Sequence, residues 1–331
     1  MNTGVVLINL GTPASPDVGA IRAYLAEFLS DPRVVEIPPV IWKPVLNLAV
    51  LPQRPAKLVP KYREIWMEEG SPLLVYGKRL AQGVQAQLDR EQVPATVVLA
   101  MRYGEPSMQQ AFEQLREAGC ERILIFPLYP QFSTSTTATI FERTLALYRD
   151  ARDMPEFRFV KRFHRLPGYV NTLAQNVRDY WREHGKPQQL LLSFHGLPKR
   201  SVDQGDPYLS DCMATAESLQ AALAAEGVPI DIGFQSRFGR AEWLGPSTLS
   251  VLQAYPGDNV RHVDVLCPGF VADCLETLEE IRIECAQAFS QAGGEQFRYI
   301  PCLNDQPDWI NAVAGLVRQH IADWPHTGTT E

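Results

Sequence analysis

Short apolar segments alternate with amphipathic segments along almost the whole chain. The apolar segments are rich in Val, Ile, Leu and Phe and run into Gly or Pro turns, which is typical of buried parallel strands. They predict seven strands, at 4–10, 96–103, 122–129, 157–163, 189–195, 230–236 and 262–268. The segments between them, such as 107–120 and 211–227, carry apolar residues three and four positions apart and predict helices. The alternation favours an α/β fold with parallel sheets.

The same local pattern occurs twice. The segment "VVLINLGTP" near the start is similar to "LLLSFHGLP" at 190–198, and "ILIFPLYPQF" at 123–132 is similar to "VDVLCPGFVAD" at 263–273. We therefore expect two similar α/β halves. The first half carries a Pro-rich insert at about 35–75, called the flap below. The final predicted helix, within 307–322, follows the second half and is expected to pack back on the first.

Composition and charge narrow the class of protein. A chain of 331 residues is long enough for two domains of ordinary size. Its net charge of −7, without a basic cluster, argues against nucleic acid as the main partner. The start has no pattern of a secretory signal. The segment 34–52 contains Glu36, Lys43 and several prolines, so we expect it to touch a membrane surface at most, not to cross the bilayer. None of the six cysteines forms a C-x-x-C pair, which indicates free thiols in the cytoplasm.

His195 stands where an apolar strand ends and a Gly-Leu-Pro turn begins. In open parallel sheets ligands bind at the carboxyl ends of the strands, so this position favours a binding cleft. A histidine here is compatible with a structural role as well as a catalytic one. A hydrolase that pairs Ser193 with His195 is not favoured. Nucleotide chemistry is also disfavoured, because neither G-x-G-x-x-G nor G-x-x-x-x-G-K occurs.

A row of carboxylates follows the last predicted strand. Asp273, Glu276, Glu280 and Glu284 are spaced by three, four and four residues, which would align them on one face of a helix. Like charges at this spacing destabilise a helix slightly. The row is therefore either a solvated acidic face, or a set of oxygen ligands for a divalent cation or a proton relay.

Two further segments combine polar and aromatic residues. The segment 127–141 contains a run of Ser and Thr after a strand, which is compatible with a capped turn. The segment 235–248 places Phe238 and Trp243 among glycines and prolines. Such aromatic side chains can either form the wall of a site for a flat ligand or cover a core.

Seven motifs, taken together and in this order, resemble ferrochelatase, the enzyme that inserts ferrous iron into a porphyrin to make haem. They are "LINLGTP", "FLSDPRVV", "GSPLLVY", "LYPQFSTST", "LSFHGLPKR", "FQSRFGRAEWLGP" and "CPGFVADCLETLEE". The resemblance covers about residues 3–318. The forms "QSRFGR" and "ADCLETLEE" are most similar to the Gram-negative bacterial branch, whose substrate is protoporphyrin IX.

The resemblance implies roles for the residues at the matching positions. His195 matches the catalytic histidine and Glu276 its partner carboxylate, and both are expected to contact the incoming metal. Further expected metal contacts, along the family's carboxylate path, are Asp273, Glu280 and Glu284. The expected porphyrin-binding residues are Arg54, Lys57 and Ser71 near the propionates, with Arg102, Tyr103, Phe132 and Trp243 in the pocket.

The resemblance also implies a fold and a setting. We expect two similar Rossmann-like domains, each a parallel four-stranded sheet flanked by helices, with an active-site cleft between them. The domains are expected at 1–155 and 156–306. Protoporphyrin IX and Fe²⁺ are expected as substrates, with no prosthetic group and no iron–sulfur cluster. The expected protein is a cytoplasmic monomer that contacts the inner face of the membrane through the flap.

Two alternatives follow from the same residues. One is a related chelatase that inserts iron into coproporphyrin or cobalt into sirohydrochlorin. Cobalt chelatases are typically shorter and His-rich, and the four carboxylates of coproporphyrin should require more basic residues than the flap contains. The other alternative is a non-catalytic porphyrin carrier, which would need the pocket but no acid–base pair beside it.

Overall fold

Two four-stranded sheets, each entirely parallel, form the framework of the protein. The computed structural model describes residues 2–237, 239 and 241–324. The strands are β1 (Asn2–Gly11), β2 (Ala95–Tyr103), β3 (Cys120–Pro127), β4 (Glu156–Phe159), β5 (Gln189–His195), β6 (Ile230–Gln235), β7 (His262–Leu266) and β8 (Gln296–Tyr299). The orders β2-β1-β3-β4 and β6-β5-β7-β8 are the same arrangement used twice. The predicted fold class, two similar four-stranded α/β domains, is confirmed.

Helices connect the strands of both sheets. The α-helices are α1 (Val18–Phe28), α2 (Pro39–Val45), α3 (Leu51–Ile65), α4 (Pro72–Arg90), α5 (Met108–Glu117), α6 (Thr139–Leu147), α7 (Pro167–His184), α8 (Lys199–Asp203), α9 (Tyr208–Leu223), α10 (Thr248–Ala254), α11 (Ala286–Gln291) and α12 (Pro307–Ile321). Three π-helical segments occur at Leu46–Val50, Thr134–Ala138 and Glu276–Cys285. Short 3₁₀ turns lie at Ala224–Glu226 and Tyr255–Asp258.

The chain divides into two compact units. The described residues of unit 1 fall in 2–129, 133–162 and 305–324, and those of unit 2 in 130–132 and 163–304. The sheet of unit 1 continues past 155, where the sequence placed the boundary, because β4 pairs with β3. The final helix α12 belongs to unit 1, where it packs on α4.

The centre of each sheet is its most deeply buried part. In β1 the residues 5–8 are fully buried, and in β5 the residues 190–192 are fully buried as well. Parallel strands covered by helices on both faces read as continuous apolar runs, which explains why the sequence pattern predicted them. Burying each Leu, Ile or Val side chain there stabilises the fold by roughly 1.5–3 kcal/mol.

Gly11 ends β1 in a conformation that other residues rarely adopt. Its φ is +119°, and a Cβ atom at this position would lie 1.8 Å from the carbonyl oxygen of Tyr103. The glycine of "LINLGTP" therefore allows the carboxyl ends of β1 and β2 to approach each other closely.

The flap is helical despite its prolines. It consists of α2, the π-helical segment Leu46–Val50 and α3, with Pro44, Pro55 and Pro60 inside the helices. Several of its large apolar side chains are exposed to solvent by 41–87%: Ile37, Val40, Ile41, Val45 and Leu48. Within the described part of the chain, no helix combines the length and the apolar character that crossing a bilayer requires.

Candidate active site

His195 is the last residue of β5, at the carboxyl edge of the sheet of unit 2. Its Nδ1 lies 2.7 Å from the carbonyl oxygen of Gly196. Because a carbonyl oxygen can only accept a hydrogen bond, Nδ1 carries the proton and the lone pair of the neutral ring lies on Nε2. The hydroxyl of Tyr208 donates to the backbone oxygen of His195 at 2.9 Å. The histidine is thus held with Nε2 as its basic atom.

The loop after His195 pairs with the segment that carries Trp243. Pro198 and Trp243 form an antiparallel bridge, and the amide of Leu244 donates to the oxygen of Leu197 at 3.0 Å. A Cβ atom on Gly196 would lie 3.2 Å from the Trp243 ring and 2.6 Å from a backbone oxygen. Only glycine lets this aromatic ring come so close to the histidine loop. Phe238, the other aromatic residue predicted here, lies outside the described residues.

Gln235 connects the end of β5 to the acidic segment. It pairs with His195 in the β5–β6 register, and its Nε2 donates to the backbone oxygen of Glu276 at 2.8 Å. Its Oε1 accepts from the hydroxyl of Ser193 at 2.8 Å. Since Gln235 is buried, it fixes the first turn of the acidic segment relative to the histidine strand.

Ser193 is a structural residue of this network. Its side chain is fully buried, and its hydroxyl contacts both Gln235 and, at 2.7 Å, Thr248. Residues two apart on a strand share a face, so Ser193 and His195 project to the same side. The hydrolase alternative is disfavoured because the hydroxyl is enclosed and already hydrogen-bonded.

The acidic segment is a π-helix, not the α-helix that its spacing suggests. It spans Glu276–Cys285, and its i→i+5 hydrogen bonds make each turn wider than the 3.6 residues of an α-helix. Residues four apart therefore lie nearly above one another. Glu276 and Glu280 are half-buried and Glu284 is exposed, so this row of carboxylates runs from the interior to the surface.

Glu280 is held firmly within this row. Its carboxylate accepts the backbone N–H of Ser236 at 2.6 Å and also the Ser236 hydroxyl. The pKa of the Glu280 carboxyl is raised above its ordinary value, chiefly by burial and also by the nearby Glu276. The hydrogen bonds from Ser236 and the nearby His195 act in the opposite direction and lower this pKa. Ser236 has a φ of +60°, a conformation that is uncommon outside glycine and is found more often at functional sites.

Asp273 is not part of the helical row, which corrects the prediction that all four carboxylates share one helical face. It precedes the π-helix and is buried. Its oxygens accept hydrogen bonds from Tyr299 at 2.5 Å, Asn304 at 2.7 Å and Thr277 at 3.0 Å. These contacts give Asp273 a structural role in this arrangement, anchoring the start of the π-helix to the end of β8 and to the loop after it.

The described residues contain no group of three or more His, Cys, Asp or Glu side chains arranged to hold a metal ion. His195 and Glu276 offer one imidazole nitrogen and one carboxylate, fewer ligands than a resident metal centre uses. Such a pair suits brief contact with a metal whose other ligands come from a second molecule. All six cysteines are free and buried: Cys120, Cys212, Cys267, Cys274, Cys285 and Cys302.

The predicted propionate-binding residues lie in unit 1. Arg54 and Lys57 are exposed on α3, three residues apart and thus on one side of the helix. Ser71 is buried and caps the amino terminus of α4, where its hydroxyl accepts the amide of Leu74 at 3.3 Å. A serine followed by a proline is a known sign of a helix start, so the sequence carried this signal for Ser71.

Arg102 and Tyr103 lie at the carboxyl end of β2. The Arg102 guanidinium contacts Asp31 at 2.6 Å, and its carbon lies 4.4 Å from the centre of the Tyr103 ring. Tyr103 is only 1% exposed and donates its hydroxyl to Asp31 at 2.8 Å. The Tyr103 ring therefore packs against the Arg102 guanidinium, and Tyr103 itself is almost completely buried. Asp31 lies within the motif "FLSDPRVV", whose sequence alone does not reveal these contacts.

Phe132 belongs to unit 2 through the short segment 130–132. Its backbone N–H donates to Asp211 at 3.1 Å, and the neighbouring Gln131 donates to Thr215 at 2.9 Å. The backbone of this segment is thus anchored to two residues of α9, and the Phe132 side chain is half-buried.

Comparisons with known proteins match nearly the whole chain. A family model described as ferrochelatase matches residues 2–321. The ferrochelatase of Bordetella pertussis is 54% identical over 322 residues, which are 97% of this chain and 89% of that protein. The ferrochelatase of Aromatoleum aromaticum is 51% identical over 323 residues, which are 97% of this chain and 88% of that protein.

Two solved structures share the fold. SirB from Bacillus subtilis with Fe³⁺ has a TM-score of 0.56 and 14% identity, covering 98% of this chain and 97% of that one. CbiX, described as the terminal enzyme of sirohaem biosynthesis in denitrifying bacteria, has a TM-score of 0.52 and 16% identity, covering 96% and 98%. At these identities the likeness concerns the fold alone.

Proposed function

Because the chain belongs to the ferrochelatase family, we propose that it inserts Fe²⁺ into protoporphyrin IX to form protohaem and releases two protons, as the last step of haem biosynthesis. The observation that carries the proposal is the cluster of His195, Glu276 and Glu280 at one sheet edge, in a chain whose family match is nearly complete.

The histidine suits the proton chemistry of this reaction. A free-base porphyrin carries two pyrrole N–H protons, and both must leave before a metal can occupy the ring. An imidazole with an ordinary pKa of about 6.5 accepts protons readily near neutral pH. In His195 the basic atom is Nε2, because Nδ1 donates to the oxygen of Gly196.

Glu276 serves as a metal ligand or as a proton carrier beside the histidine. An iron ion contacted by His195 and Glu276 still needs ligands, and the four ring nitrogens of the porphyrin supply them. Glu280 and the exposed Glu284 continue from Glu276 to the surface and either deliver Fe²⁺ or carry protons away. Asp273 contributes to this path by fixing the start of the π-helix.

The aromatic walls favour a bent macrocycle. A flat porphyrin hides its nitrogens from an approaching metal, so a pocket that favours a distorted ring resembles the transition state. Trp243 packs against the residue next to His195, and the backbone of Phe132 is anchored to α9. These rings supply rigid apolar surface for that purpose.

The test of the proposed function is direct. The purified protein is mixed with Fe²⁺ and either protoporphyrin IX or coproporphyrin without oxygen, and with Co²⁺ and sirohydrochlorin in a parallel reaction. The absorbance of each metallated product is followed. We expect rapid metallation of protoporphyrin IX. Faster metallation of another tetrapyrrole would favour a related chelatase, and binding without metallation would favour a carrier.

Arg54 provides a test of propionate binding. Replacing it by alanine removes a cation, so we expect the KM for porphyrin to rise several-fold while the KM for iron changes little. Steady-state kinetics with each substrate varied in turn measures both constants. Arg63→Ala is the matched control, since nine residues along α3 place Arg63 on the opposite side of the helix. An Arg54 variant that raises only the KM for iron contradicts this role.

The flap is proposed to contact the membrane. Its exposed apolar side chains, Val40 and Leu48 above all, lie next to basic residues such as Lys43, a combination that favours anionic lipid surfaces. We expect the protein to sediment with vesicles that contain phosphatidylglycerol, and a variant with both Val40→Ser and Leu48→Ser to stay in the supernatant. Leu145→Ser on α6 removes an exposed leucine outside the flap, 51% exposed, and this variant should sediment normally. Equal sedimentation of all three proteins would contradict flap contact.

The remaining parts of the proposal concern the state of the protein. We expect a monomer, since no two of the large exposed apolar residues that the structure describes outside the flap share a helix or strand. Six free thiols support a cytoplasmic setting. Fe²⁺ enters as a substrate, and the proposal requires neither a prosthetic group nor an iron–sulfur cluster.

A further inference from the structure

Asp31 is the centre of a buried network at the carboxyl end of β2. One of its oxygens accepts from Arg102 at 2.6 Å, from the Tyr103 hydroxyl at 2.8 Å and from the Thr139 hydroxyl at 2.5 Å. The other accepts the backbone N–H of Arg33 at 2.8 Å. Four donor groups from three separate segments thus meet at one carboxylate.

The network fixes Arg102 as well as contacting it. Nε of Arg102 donates to the Thr139 hydroxyl at 2.9 Å, and the guanidinium lies over the Tyr103 ring. The side chains of Arg102 and Asp31 are 14% and 5% exposed, so water screens their interaction weakly. The guanidinium is therefore held in one place, and its charge is balanced by the adjacent carboxylate.

A guanidinium that is already paired with a carboxylate attracts an anionic ligand less strongly than an unpaired cation does. A lone cation in a partly buried wall attracts a carboxylate strongly, because few water molecules screen the charges. When a carboxylate already lies at 2.6 Å, a second one gains little attraction and is repelled by the first. The Arg102 guanidinium at the end of β2 is already paired with Asp31 in this way.

We propose that Asp31 is a specificity-determining residue. It neutralises Arg102, so that the part of the porphyrin pocket formed by Arg102 accepts a porphyrin edge without carboxylates. The proposal rests on the proposed function and on Arg102 lining the porphyrin pocket. It predicts that a tetrapyrrole with two carboxylates is used in preference to one with four. The propionate edge is then left to the flap.

The test compares two porphyrins in three variants. For each protein, kcat/KM is measured for protoporphyrin IX, with two carboxylates, and for coproporphyrin, with four. In Asp31→Asn the guanidinium loses its balancing charge, and we expect the ratio of coproporphyrin to protoporphyrin to rise about tenfold, as a 1.4 kcal/mol change in differential binding would give. In Arg102→Gln the carboxylate stays unbalanced, and we expect this ratio to fall below that of the wild type.

The variant with both Asp31→Asn and Arg102→Gln separates charge from structure. It is neutral again, so its ratio is expected to return to the wild-type value. A merely structural role of Asp31 would leave the double variant as altered as Asp31→Asn, and that result would overturn the proposal. If Asp31→Asn does not fold, the Arg102→Gln and double variants still give the two ratios, and equal ratios in these two would also overturn it.

Asp264→Asn is the matched control, because Asp264 forms an equally buried pair with Arg298, at 2.7 Å, in unit 2. It is expected to lower stability while leaving the porphyrin ratio unchanged. Metallation of protoporphyrin IX by the wild type is measured first. Its absence would contradict the proposed function, whereas normal wild-type activity with unchanged ratios would contradict the role of Asp31 alone.

Discussion

Replacing His195 by alanine is expected to abolish iron insertion while leaving porphyrin binding intact. The substitution removes Nε2, the basic atom that the Gly196 contact leaves available at the end of β5. Loss of a general base lowers a rate by typically 10²–10⁴-fold. Loss of a metal contact from the same atom adds to this effect. Metallation is followed by absorbance, and porphyrin binding by quenching of the tryptophan fluorescence.

His262→Ala is the control for this experiment. His262 is the first residue of β7 and therefore lies at the amino ends of the strands of the same sheet. Its side chain lies 3.3 Å from the Glu295 carboxylate. We expect this variant to insert iron at the wild-type rate. Unchanged turnover in His195→Ala would remove the catalytic role of His195, and loss of fluorescence quenching would show that the side chain acts in binding instead.

The second large effect is expected from Glu276→Gln, which should lower the insertion rate by two orders of magnitude or more. Glutamine has nearly the same shape, and the bond from Gln235 goes to the backbone of residue 276, so the π-helix is kept. The variant therefore removes the charge and the proton-carrying ability of one side chain. Single-turnover metallation at saturating iron and porphyrin measures the loss.

Glu217→Gln, an exposed residue of α9, is the control for the loss of one negative charge. It should leave the rate unchanged. A near-normal rate in Glu276→Gln would instead show that the acidic row is only a solvated face of the protein.

Much of the fold was predictable because buried parallel strands leave a strong pattern. Seven strands and their repeated arrangement were evident from apolar runs such as 4–10 and 189–195. The eighth strand, β8, was missed because its four residues, "QFRY", are short and polar enough to read as a loop. Its position depends on pairing with β7 rather than on its own sequence.

The spacing of the acidic residues did not determine which type of helix they form. Steps of three and four residues are compatible with α-helical and π-helical turns, so the spacing did not reveal that 276–285 is a π-helix. It also gave no sign that Asp273 precedes that helix and is enclosed by Tyr299 and Asn304. Those partners come from a distant part of the chain.

The supporting residues of the site were the hardest to find from sequence. Gln235, Ser236 and Asp31 matter because of partners 41, 44 and 71 positions away in the chain. Such contacts exist only once the strands are paired and the helices are in place. His195 and Glu276, in contrast, stand within long motifs whose resemblance to a family could be seen directly.

The central claim is that one imidazole and one carboxylate exchange the protons of a bound macrocycle for a metal. A crystal structure of the protein with protoporphyrin IX tests it most directly, through the distances from the ring nitrogens to His195 Nε2 and to the Glu276 carboxylate. We predict that both side chains face the centre of the ring, with Nε2 within hydrogen-bonding distance of a pyrrole nitrogen. A porphyrin bound with its nitrogens turned away from both side chains would contradict the account.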